Sequence, residues 1–403
     1  MCNITMSKES KTYKNSPKKV YIRTFGCQMN DRDSEALAGL FLDKGYILTD
    51  NLEEAEIILV NTCSVREHAE NRALSFLGSL KKITNYKLQI TGCKRIVGVI
   101  GCMARNRGKE LFKKMPYLDL VIGPANFDKI PHYVEKIKKE KTRIIDIEDR
   151  ERKEDFYSSF RNKKEKAYIV ISTGCLNFCS YCVVPYTRGP LRLRKPRDII
   201  DEAKKAVDLG IKKITFLGQN VNDYQYKLSA EGGSASGGQI IDFVELLRMI
   251  EKIEGIEEID FVTSHPKNTT KDLFFLMASS KKIKKHLHLP FQSGSNKILK
   301  LMGRGYTKEE YLNLVEAYKK IVKGTLSTDV IVGFPYEEEK DFLETKEVLE
   351  KVRFRYAYIF KYSPRPHTKA FLWQDTVSEE EKKKRHQILL RLQRRISLCG
   401  GDF

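Results

Sequence analysis

Tryptophan and long apolar runs are scarce in this chain. Its 403 residues include one Trp. No apolar run approaches the ~20 residues that a membrane-spanning helix needs. The Lys-, Ser- and Asn-rich residues 1–19 have neither the apolar core of a secretory signal nor the Arg-rich character of a transit peptide. We therefore expect a disordered N-terminus over 1–19, no membrane association and a cytoplasmic protein.

Acidic residues are also in short supply. The chain has 53 Asp and Glu against 73 Lys and Arg, which leaves a formal net charge of +20. This excess points to a polyanionic partner, with nucleic acid as the first candidate. The alternative is a surface solvated by lysine, as in the runs at 281–282 and 382–384.

Nine cysteines without a secretory signal indicate a reducing compartment, where clustered cysteines bind metal or take part in catalysis. Cys175, Cys179 and Cys182 are spaced CxxxCxxC and can aim three thiolates at one centre. A 4Fe–4S cluster normally takes four cysteines, so three ligands would leave one iron open to a small molecule. The alternative is a zinc knuckle or a disulfide, but no fourth Cys or His for zinc lies close by.

Residues 20–140 alternate short apolar runs with helical patterns, which predicts a parallel sheet with helices on its faces. The predicted strands are 20–25, 57–61, 96–100 and 118–122. Cys27, Cys63 and Cys102 each follow one of them. Because parallel strands end at one edge of a sheet, we expect a second metal site there, with inert buried thiols as the alternative. The cysteines that we interpret as non-ligating are Cys2, Cys93 and Cys399.

Residues 141–166 are dense in charge and poor in apolar periodicity, which predicts an interdomain linker. Over 167–398, six strand-then-helix units predict an open, partial (β/α) barrel with catalytic groups at the C-terminal strand ends. The predicted strands are 167–172, 213–217, 259–263, 286–290, 327–333 and 355–362. The predicted helices are 196–209, 240–254, 270–279, 308–322, 338–352 and 379–398. We expect residues 229–239 to form a flexible loop and residues 399–403 to be a C-terminal stub.

Several motifs together identify a family. They are TFGCQMN at 24–30, NTCSVR at 61–66, GCMA at 101–104, CxxxCxYC with VVPYTRG at 183–189, LGQNVN at 217–222, SHP at 264–266, HLHLPFQSGS at 286–295 and TDVIVGFP at 328–335. In this order they resemble the radical S-adenosylmethionine (SAM) methylthiotransferases over about residues 20–398. FGCQMN and NTCSVR are most similar to the members that act on N6-dimethylallyladenosine in tRNA.

The resemblance implies two 4Fe–4S clusters. The cluster that binds and cleaves SAM would be held by Cys175, Cys179 and Cys182. An auxiliary cluster, concerned with sulfur, would be held by Cys27, Cys63 and Cys102. The implied substrate is the N6-dimethylallyladenosine just 3′ of the tRNA anticodon, whose C2 gains a methylthio group. One SAM would supply the methyl group, and a second would supply the 5′-deoxyadenosyl radical that activates C2.

Further candidates for SAM or substrate contact lie at strand ends. Tyr181 is placed to lie against the SAM adenine, with barrel packing as the alternative. Gly218, Gln219 and Asn220 end the second strand, where the resemblance implies contacts to the methionine part of SAM, with a plain turn as the alternative. Polar residues that end later strands, each equally open to a structural role, are Ser264, Gln292, Ser293 and Asp329. His286 and His288 share one face of a strand, and we expect them to pack in the barrel.

The basic residues after the CxxxCxxC stretch are Arg188, Arg192, Arg194, Lys195 and Arg197. We expect them to contact tRNA phosphates, with a solvated basic turn as the alternative. The anticodon loop is the expected tRNA partner, because RNA bases are read mainly in single-stranded loops. We also expect an external electron donor, a sulfur donor and a monomer. Family members usually continue into a β-rich TRAM domain, which we expect to be absent from this chain because it stops at Phe403.

Alternatives of other kinds remain open at this point. Sibling enzymes act on threonylcarbamoyl-adenosine in tRNA or on a ribosomal-protein aspartate, and FGCQMN argues against both. A non-catalytic, zinc-binding RNA protein is the alternative from a different class. Iron and sulfide analysis without oxygen separates it from the enzymes.

Overall fold

The computed structural model describes residues 18–91, 95–151, 156–157, 160–161, 165–228 and 239–398, without the side chains of 82–91. The predictions for residues 1–17, the non-ligating cysteines, the loop at 229–238 and the stub at 399–403 lie outside these residues. Within the described ranges, no helix has the length and apolar character that crossing a membrane requires.

The N-terminal part is a parallel sheet with helices on both faces. Its strands are β1 (Lys19–Phe25), β2 (Ile47–Leu48), β3 (Ile57–Thr62), β4 (Ile96–Gly101), β5 (Leu120–Ile122) and β6 (Ile144–Asp146). Its helices are α1 (Gln28–Leu42), α2 (Glu67–Thr91), α3 (Cys102–Lys114) and α4 (Ile130–Glu140). The strand order is β2-β1-β3-β4-β5-β6. Every residue of β3 and β4 is buried, as expected of continuous apolar runs covered on both faces.

The sheet extends into the segment predicted to be a linker, so that prediction is wrong at β6. This strand pairs in parallel with β5, and Ile144 lies opposite Leu120. Phe156 and Tyr157 are also buried in the core of the N-terminal part. The strand was missed because its apolar run is two residues long and is followed by an aspartate.

The C-terminal part is the barrel. Its strands are β7 (Ala167–Val170), β8 (Ser172–Thr173), β9 (Arg192–Leu193), β10 (Lys213–Leu217), β11 (Gln225–Lys227), β12 (Ile240–Asp242), β13 (Glu258–Phe261), β14 (His286–His288), β15 (Thr325–Val332) and β16 (Tyr356–Lys361). Its helices are α5 (Val184–Arg188), α6 (Pro196–Asp208), α7 (Phe243–Glu251), α8 (Lys271–Ser279), α9 (Asn296–Met302), α10 (Lys308–Val322), α11 (Glu339–Val352) and α12 (Glu379–Leu398).

The barrel wall consists of two parallel three-stranded sheets, β7-β10-β13 and β14-β15-β16, with β10 and β15 at their centres. A parallel bridge between Ile259 and Ile283 joins them. Because β7 and β16 lie at the two ends of this order, the predicted open, partial barrel is confirmed. The largest apolar core lies between this wall and its outer helices.

Two helix predictions need correction. The helix predicted over 240–254 begins at Phe243, because residues 240–242 pair with β11. Asp242 then caps the helix by accepting a hydrogen bond from the Glu245 backbone N–H at 2.8 Å. Helix α9 was not predicted, although Ser295 caps it in the same way.

The two parts of the chain share one core and one buried charge cluster. Tyr168 and Val170 of β7 pack with the apolar face of the N-terminal sheet. On α6, the buried Glu202 carboxylate accepts hydrogen bonds from Arg32 of α1 (3.1 Å), Arg194 (2.5 Å) and Arg161. Burial alone would raise the pKa of Glu202, but the three guanidinium groups outweigh it and hold that pKa below its usual value.

Candidate active site

The CxxxCxxC stretch lies in a loop, residues 174–191, between β8 and β9, which pair as an antiparallel ribbon. Gly174 opens this cluster loop with φ +74°, and a Cβ there would come within 1.9 Å of the Pro190 carbonyl oxygen. A glycine is therefore required at the position where the loop closes on itself.

The tip of the cluster loop is held by backbone hydrogen bonds. The Ser180 N–H donates to the Met302 carbonyl at the end of α9 (3.0 Å). The Ser180 carbonyl accepts from the Ala370 N–H (2.7 Å). Elements far apart in sequence thus position the loop over the barrel.

The three cysteines of this loop lie close enough for their charges to interact. Burial, with a smaller effect from charge on Cys179, raises the pKa of Cys175 and raises that of Cys182 to about 12. A metal cluster would displace the thiol protons and compensate the buried negative charge, so this donor set suits one.

Arg304 is a site residue that the sequence did not reveal. Its guanidinium, 6% exposed, donates to the Cys179 Sγ and the Tyr181 hydroxyl (both 3.5 Å) and to the Pro290 carbonyl (3.2 Å). Its Nε donates to the Tyr306 hydroxyl at 3.1 Å. A permanent positive charge therefore lies beside the cluster ligands. The only sequence signal is an arginine flanked by glycines just after α9.

Several buried polar atoms near the barrel strand ends and the cluster loop have no hydrogen-bond partner within the described residues. Among them are Ser172 Oγ, Ser180 Oγ, Gln219 Oε1, both side-chain polar atoms of Asn220, Ser264 Oγ and His265 Nε2. Each such atom costs about 1–3 kcal/mol if it stays unpaired. Gly218 lies against Ser172, where a Cβ would come within 2.6 Å of the hydroxyl. The ammonium, carboxylate and hydroxyl groups of SAM can pair with such atoms, so the residues present fit that cofactor.

The other predicted contact residues divide into two groups. Asp329 reaches the barrel lumen, where its carboxylate accepts a hydrogen bond from His288 Nε2 at 3.4 Å. Gln292 is buried with φ +68°, and its backbone N–H donates to the Asp329 carbonyl. By contrast, the Ser293 hydroxyl contacts Thr345 of α11 at 3.3 Å, so the structure does not bring it to the site. His286 and His288 both bond to Ser327, which agrees with the expected packing role.

Cys27, Cys63 and Cys102 lie at the carboxyl ends of β1, β3 and β4. Strands β1 and β3 are neighbours at the point where the strand order reverses, which is where open parallel sheets form their sites. A hydrogen bond from Cys63 lowers the pKa of Cys27 to about 6, and the same contact raises the pKa of Cys63. Charge on Cys102 raises the pKa of Cys63 further. The structure thus brings these three cysteines together.

Two buried asparagines hold the loops that carry Cys27 and Cys63. Asn30 Nδ2 donates to Asn61 Oδ1 (3.1 Å), and Asn61 Nδ2 donates to the Asn30 carbonyl (2.9 Å). Both residues belong to the motifs noted in the sequence. Their reciprocal bonds fix the β1–α1 turn against the end of β3.

Arg188 connects the barrel to this second cysteine site. Its Nη2 donates to the buried Asp33 carboxylate at 2.8 Å, and its charge favours the thiolate forms of Cys27 and Cys102. The prediction that Arg188 contacts phosphate is therefore wrong, because a buried carboxylate and two thiols already surround it.

The rest of the predicted basic segment also differs from expectation. Arg194 pairs with the buried Glu202, and Arg192 pairs with Asp149 at 3.0 Å. Lys195 and Arg197 remain exposed. Arg197 lies 3.9 Å from the Asp201 carboxylate, one turn along the same helix.

The elements that carry the two cysteine sites pack against each other at the interface between the sheet and the barrel. Helix α5, which follows Cys182, packs on α3, which begins at Cys102. The Arg105 Nε of α3 donates to the Tyr186 carbonyl of α5 at 3.4 Å. Glu70 of α2 forms an ion pair with Arg365 beyond β16 at 2.9 Å. These contacts hold the N-terminal sheet over the barrel.

Neither site has the geometry of a single-ion site. Over the ranges described above, no three His, Cys, Asp or Glu side chains are grouped to hold one metal ion. In a 4Fe–4S cluster each cysteine binds a different iron, so its sulfur ligands are spread more widely than those around one ion.

The family matches cover both parts of the chain. Residues 169–349 match the Radical SAM superfamily, and residues 19–123 match an uncharacterized protein family, UPF0004. Two solved structures share the fold at low identity. One is the radical SAM methyltransferase TsrM from Kitasatospora setae, with a TM-score of 0.62 and 14% identity over 89% of this chain and 77% of that one. The other is the cobalamin-dependent radical SAM enzyme OxsB, with a TM-score of 0.58 and 12% identity over 94% of this chain and 56% of that one.

Much closer relatives are proteins named tRNA-2-methylthio-N6-dimethylallyladenosine synthase. The one from Acetivibrio thermocellus is 43% identical over 392 residues, which cover 96% of this chain and 79% of the relative. The one from Aquifex aeolicus is 43% identical over 383 residues, 94% of this chain and 84% of the relative. The chain therefore spans about four fifths of their length. At this identity and coverage, it belongs to the family of tRNA-2-methylthio-N6-dimethylallyladenosine synthases among the radical SAM methylthiotransferases.

Proposed function

We propose that this protein adds a methylthio group to C2 of N6-dimethylallyladenosine beside the tRNA anticodon. The observation that carries the proposal is the presence of two three-cysteine sites on elements that pack against each other at one interface. Adenine C2–H is neither acidic nor a leaving group, so acid–base chemistry cannot replace it with sulfur. A reaction that joins radical formation to sulfur delivery needs two such sites close together.

The site in the barrel is the one for SAM. Cys175, Cys179 and Cys182 would hold a 4Fe–4S cluster with one open iron position, and with SAM bound this cluster supplies the radical that abstracts the C2 hydrogen. Arg304 holds a positive charge against Cys179 and orients Tyr181. The polar atoms at the strand ends, including Asn220 and Ser264, would pair with the polar groups of SAM. Their burial also keeps water away from the reacting atoms.

The site at the sheet edge is the one for sulfur. Cys27, Cys63 and Cys102 would hold the auxiliary 4Fe–4S cluster. The positive charge of Arg188 compensates part of the negative charge of three buried thiolates. The asparagine pair at 30 and 61 fixes the spacing of the first two ligands.

The proposal includes the partners that such chemistry requires. The anticodon loop of tRNA is the substrate. An external reductant supplies the electron for SAM cleavage, and a separate donor replaces the transferred sulfur. We further propose that the protein is a cytoplasmic monomer. Size-exclusion chromatography with light scattering tests the monomeric state.

Nucleoside mass spectrometry tests the substrate assignment. tRNA would be taken from cells that lack this methylthio activity, with and without the gene for this protein. We expect the 2-methylthio nucleoside to return with the gene and to stay absent with its Cys179→Ala variant. A longer version of the protein, extended to the length of its relatives, should be run in parallel. If that version also fails to restore the nucleoside, the substrate assignment is wrong.

Metal analysis tests the two-site arrangement. Protein prepared without oxygen should hold iron and sulfide for two 4Fe–4S clusters. Replacing all three barrel cysteines with alanine should halve both. Zinc in place of iron would contradict the proposal and favour a non-catalytic metal-binding protein.

A further inference from the structure

Strand β16 presents an exposed aromatic face to the barrel lumen. Alternate residues of a strand share a face, which places Tyr356, Tyr358 and Phe360 together. Tyr356 and Tyr358 are 39% and 47% exposed, whereas Ile359, on the other face, is buried in the core. The two tyrosine rings lie with their centroids 5.6 Å apart. Because β16 is the last strand of the open barrel, this face is accessible from the side.

An arginine of the N-terminal part lies over the same face. The Arg66 guanidinium is 5.9 Å from the centre of the Tyr358 ring and 6.0 Å from that of Phe360. Arg66 is exposed. Among the side chains described, no carboxylate or hydrogen-bond acceptor pairs with its guanidinium. Such a cation keeps its capacity to bind an anionic group.

Arg66 and Tyr358 relate the cysteine site at the sheet edge to the barrel lumen. Arg66 lies three residues after Cys63, in the turn that carries that ligand. Tyr358 lies directly opposite Asp329 in the β15–β16 register. Asp329 in turn bonds to Gln292 at the end of the lumen. A ring stacked on Tyr358 would therefore lie between the barrel lumen and the turn that carries Cys63 and Arg66.

We propose that Tyr358 and Arg66 form a clamp for one unpaired base of the substrate RNA. The base stacks on the Tyr358 ring, and the Arg66 guanidinium pairs with the adjoining phosphate. Unpaired RNA bases stack on aromatic and arginine side chains, and such stacking is tolerant of base identity. The net charge of +20 favours the same polyanionic partner. This inference rests on the proposed function and names residues by which the site takes up its RNA.

The test measures binding of an anticodon stem-loop RNA that carries N6-dimethylallyladenosine, with cluster-loaded protein and fluorescence anisotropy. Stacking contributes about 1–3 kcal/mol per base, so Tyr358→Ala should weaken binding about 5- to 150-fold. Tyr358→Phe keeps the ring and should bind within about twofold of wild type. Arg66→Gln should weaken binding and lower the slope of log K against log salt by about 0.7.

Two variants serve as matched controls. Phe275→Ala removes an aromatic ring, 56% exposed, from the outer helix α8. Arg23→Ala removes an exposed arginine of β1 that lies over the Phe25 ring. Both should bind the stem-loop as wild type does. Iron and sulfide content, and the free energy of unfolding in urea, are measured for the Tyr358 and Arg66 variants, which separates loss of RNA binding from loss of the clusters or of the fold.

The outcomes distinguish this inference from the proposed function. If wild type binds and methylthiolates the stem-loop but Tyr358→Ala and Arg66→Gln bind it equally well, the clamp is wrong and the proposed function stands. If wild type binds the RNA but never forms the methylthio product, the proposed function is wrong. The binding affinities of the Tyr358 and Arg66 variants then still decide whether the clamp exists. Arg66 is exposed and unpaired among the described side chains, so its variant reports on the clamp even if Tyr358→Ala unfolds.

Discussion

Replacing Arg188 with methionine should destabilise the protein and impair the cysteine site at the sheet edge. The substitution keeps a long apolar stem but removes the charge that lies beside Asp33, Cys27 and Cys102. Asp33 is fully buried. Its carboxylate also accepts a hydrogen bond from the Tyr157 hydroxyl at 3.1 Å, which the variant would keep. The variant therefore leaves a buried carboxylate and a buried thiolate set without their cation.

The expected loss of stability follows from the burial of this pair. Breaking a buried ion pair by removing one partner costs about 3–5 kcal/mol. Tyr157 continues to donate to Asp33, so we expect a value near the lower end, about 3 kcal/mol. Asp33→Asn in the Arg188→Met background removes the uncompensated charge and should recover most of that loss. Arg192→Met, which breaks a partly exposed pair with Asp149, is the matched control and should cost less than about 1 kcal/mol.

Two measurements on protein kept free of oxygen test this prediction. Urea unfolding gives the change in the free energy of unfolding for each variant. Iron and sulfide are then counted in a background where Cys175, Cys179 and Cys182 are alanine, so that only the sheet-edge site can hold a cluster. We expect Arg188→Met to lose that iron and Arg192→Met to retain it. If Arg188→Met stays within about 0.5 kcal/mol of wild type and keeps its iron, the assigned role of Arg188 is wrong.

Four further predictions address other parts of the site. Cys179→Ala should abolish SAM cleavage while the auxiliary iron remains, as iron analysis and 5′-deoxyadenosine detection would measure. Gly174→Ala should displace the cluster loop, because a Cβ there meets a backbone oxygen at 1.9 Å, and should lower iron in the barrel site alone. Arg304→Met should weaken SAM binding in equilibrium dialysis and shift the electronic spectrum of the barrel cluster, whereas Arg197→Met, which removes a surface arginine, should do neither. Glu202→Gln should destabilise the protein by about 3 kcal/mol, because three arginines, of which Arg32 is fully buried, lose their common carboxylate.

The Glu202 prediction has a defined pH dependence. The folded-state pKa of this carboxyl is lowered, so its contribution to stability is complete above the unfolded pKa of about 4.3 and is lost as pH falls through the lowered value. Wild type should thus lose stability relative to Glu202→Gln on acidification below about pH 4. A constant difference between the two proteins from pH 7 to pH 3 would contradict this account. For the other three, the contrary results are full iron in Gly174→Ala, unchanged SAM affinity in Arg304→Met and loss of all iron in Cys179→Ala.

The sequence by itself determined the fold class and both cysteine sets. Continuous apolar runs followed by Cys27, Cys63 and Cys102 predicted buried parallel strands whose ends meet, because that arrangement depends only on local pattern and on the geometry of parallel sheets. The CxxxCxxC spacing is likewise local. It needs no tertiary information to place three thiols in one loop. The family motifs added the chemistry.

The tertiary structure alone decided which other side chains join these cysteines. Arg188 and Arg304 look like surface residues in the sequence, yet both are buried beside thiols because elements distant in the chain enclose them. Ser293 sits in a motif but contacts α11. Tyr358 meets Arg66 only because the N-terminal sheet packs over the open barrel. Such contacts arise from docking between elements, and neither periodicity nor spacing along a chain encodes which faces will meet.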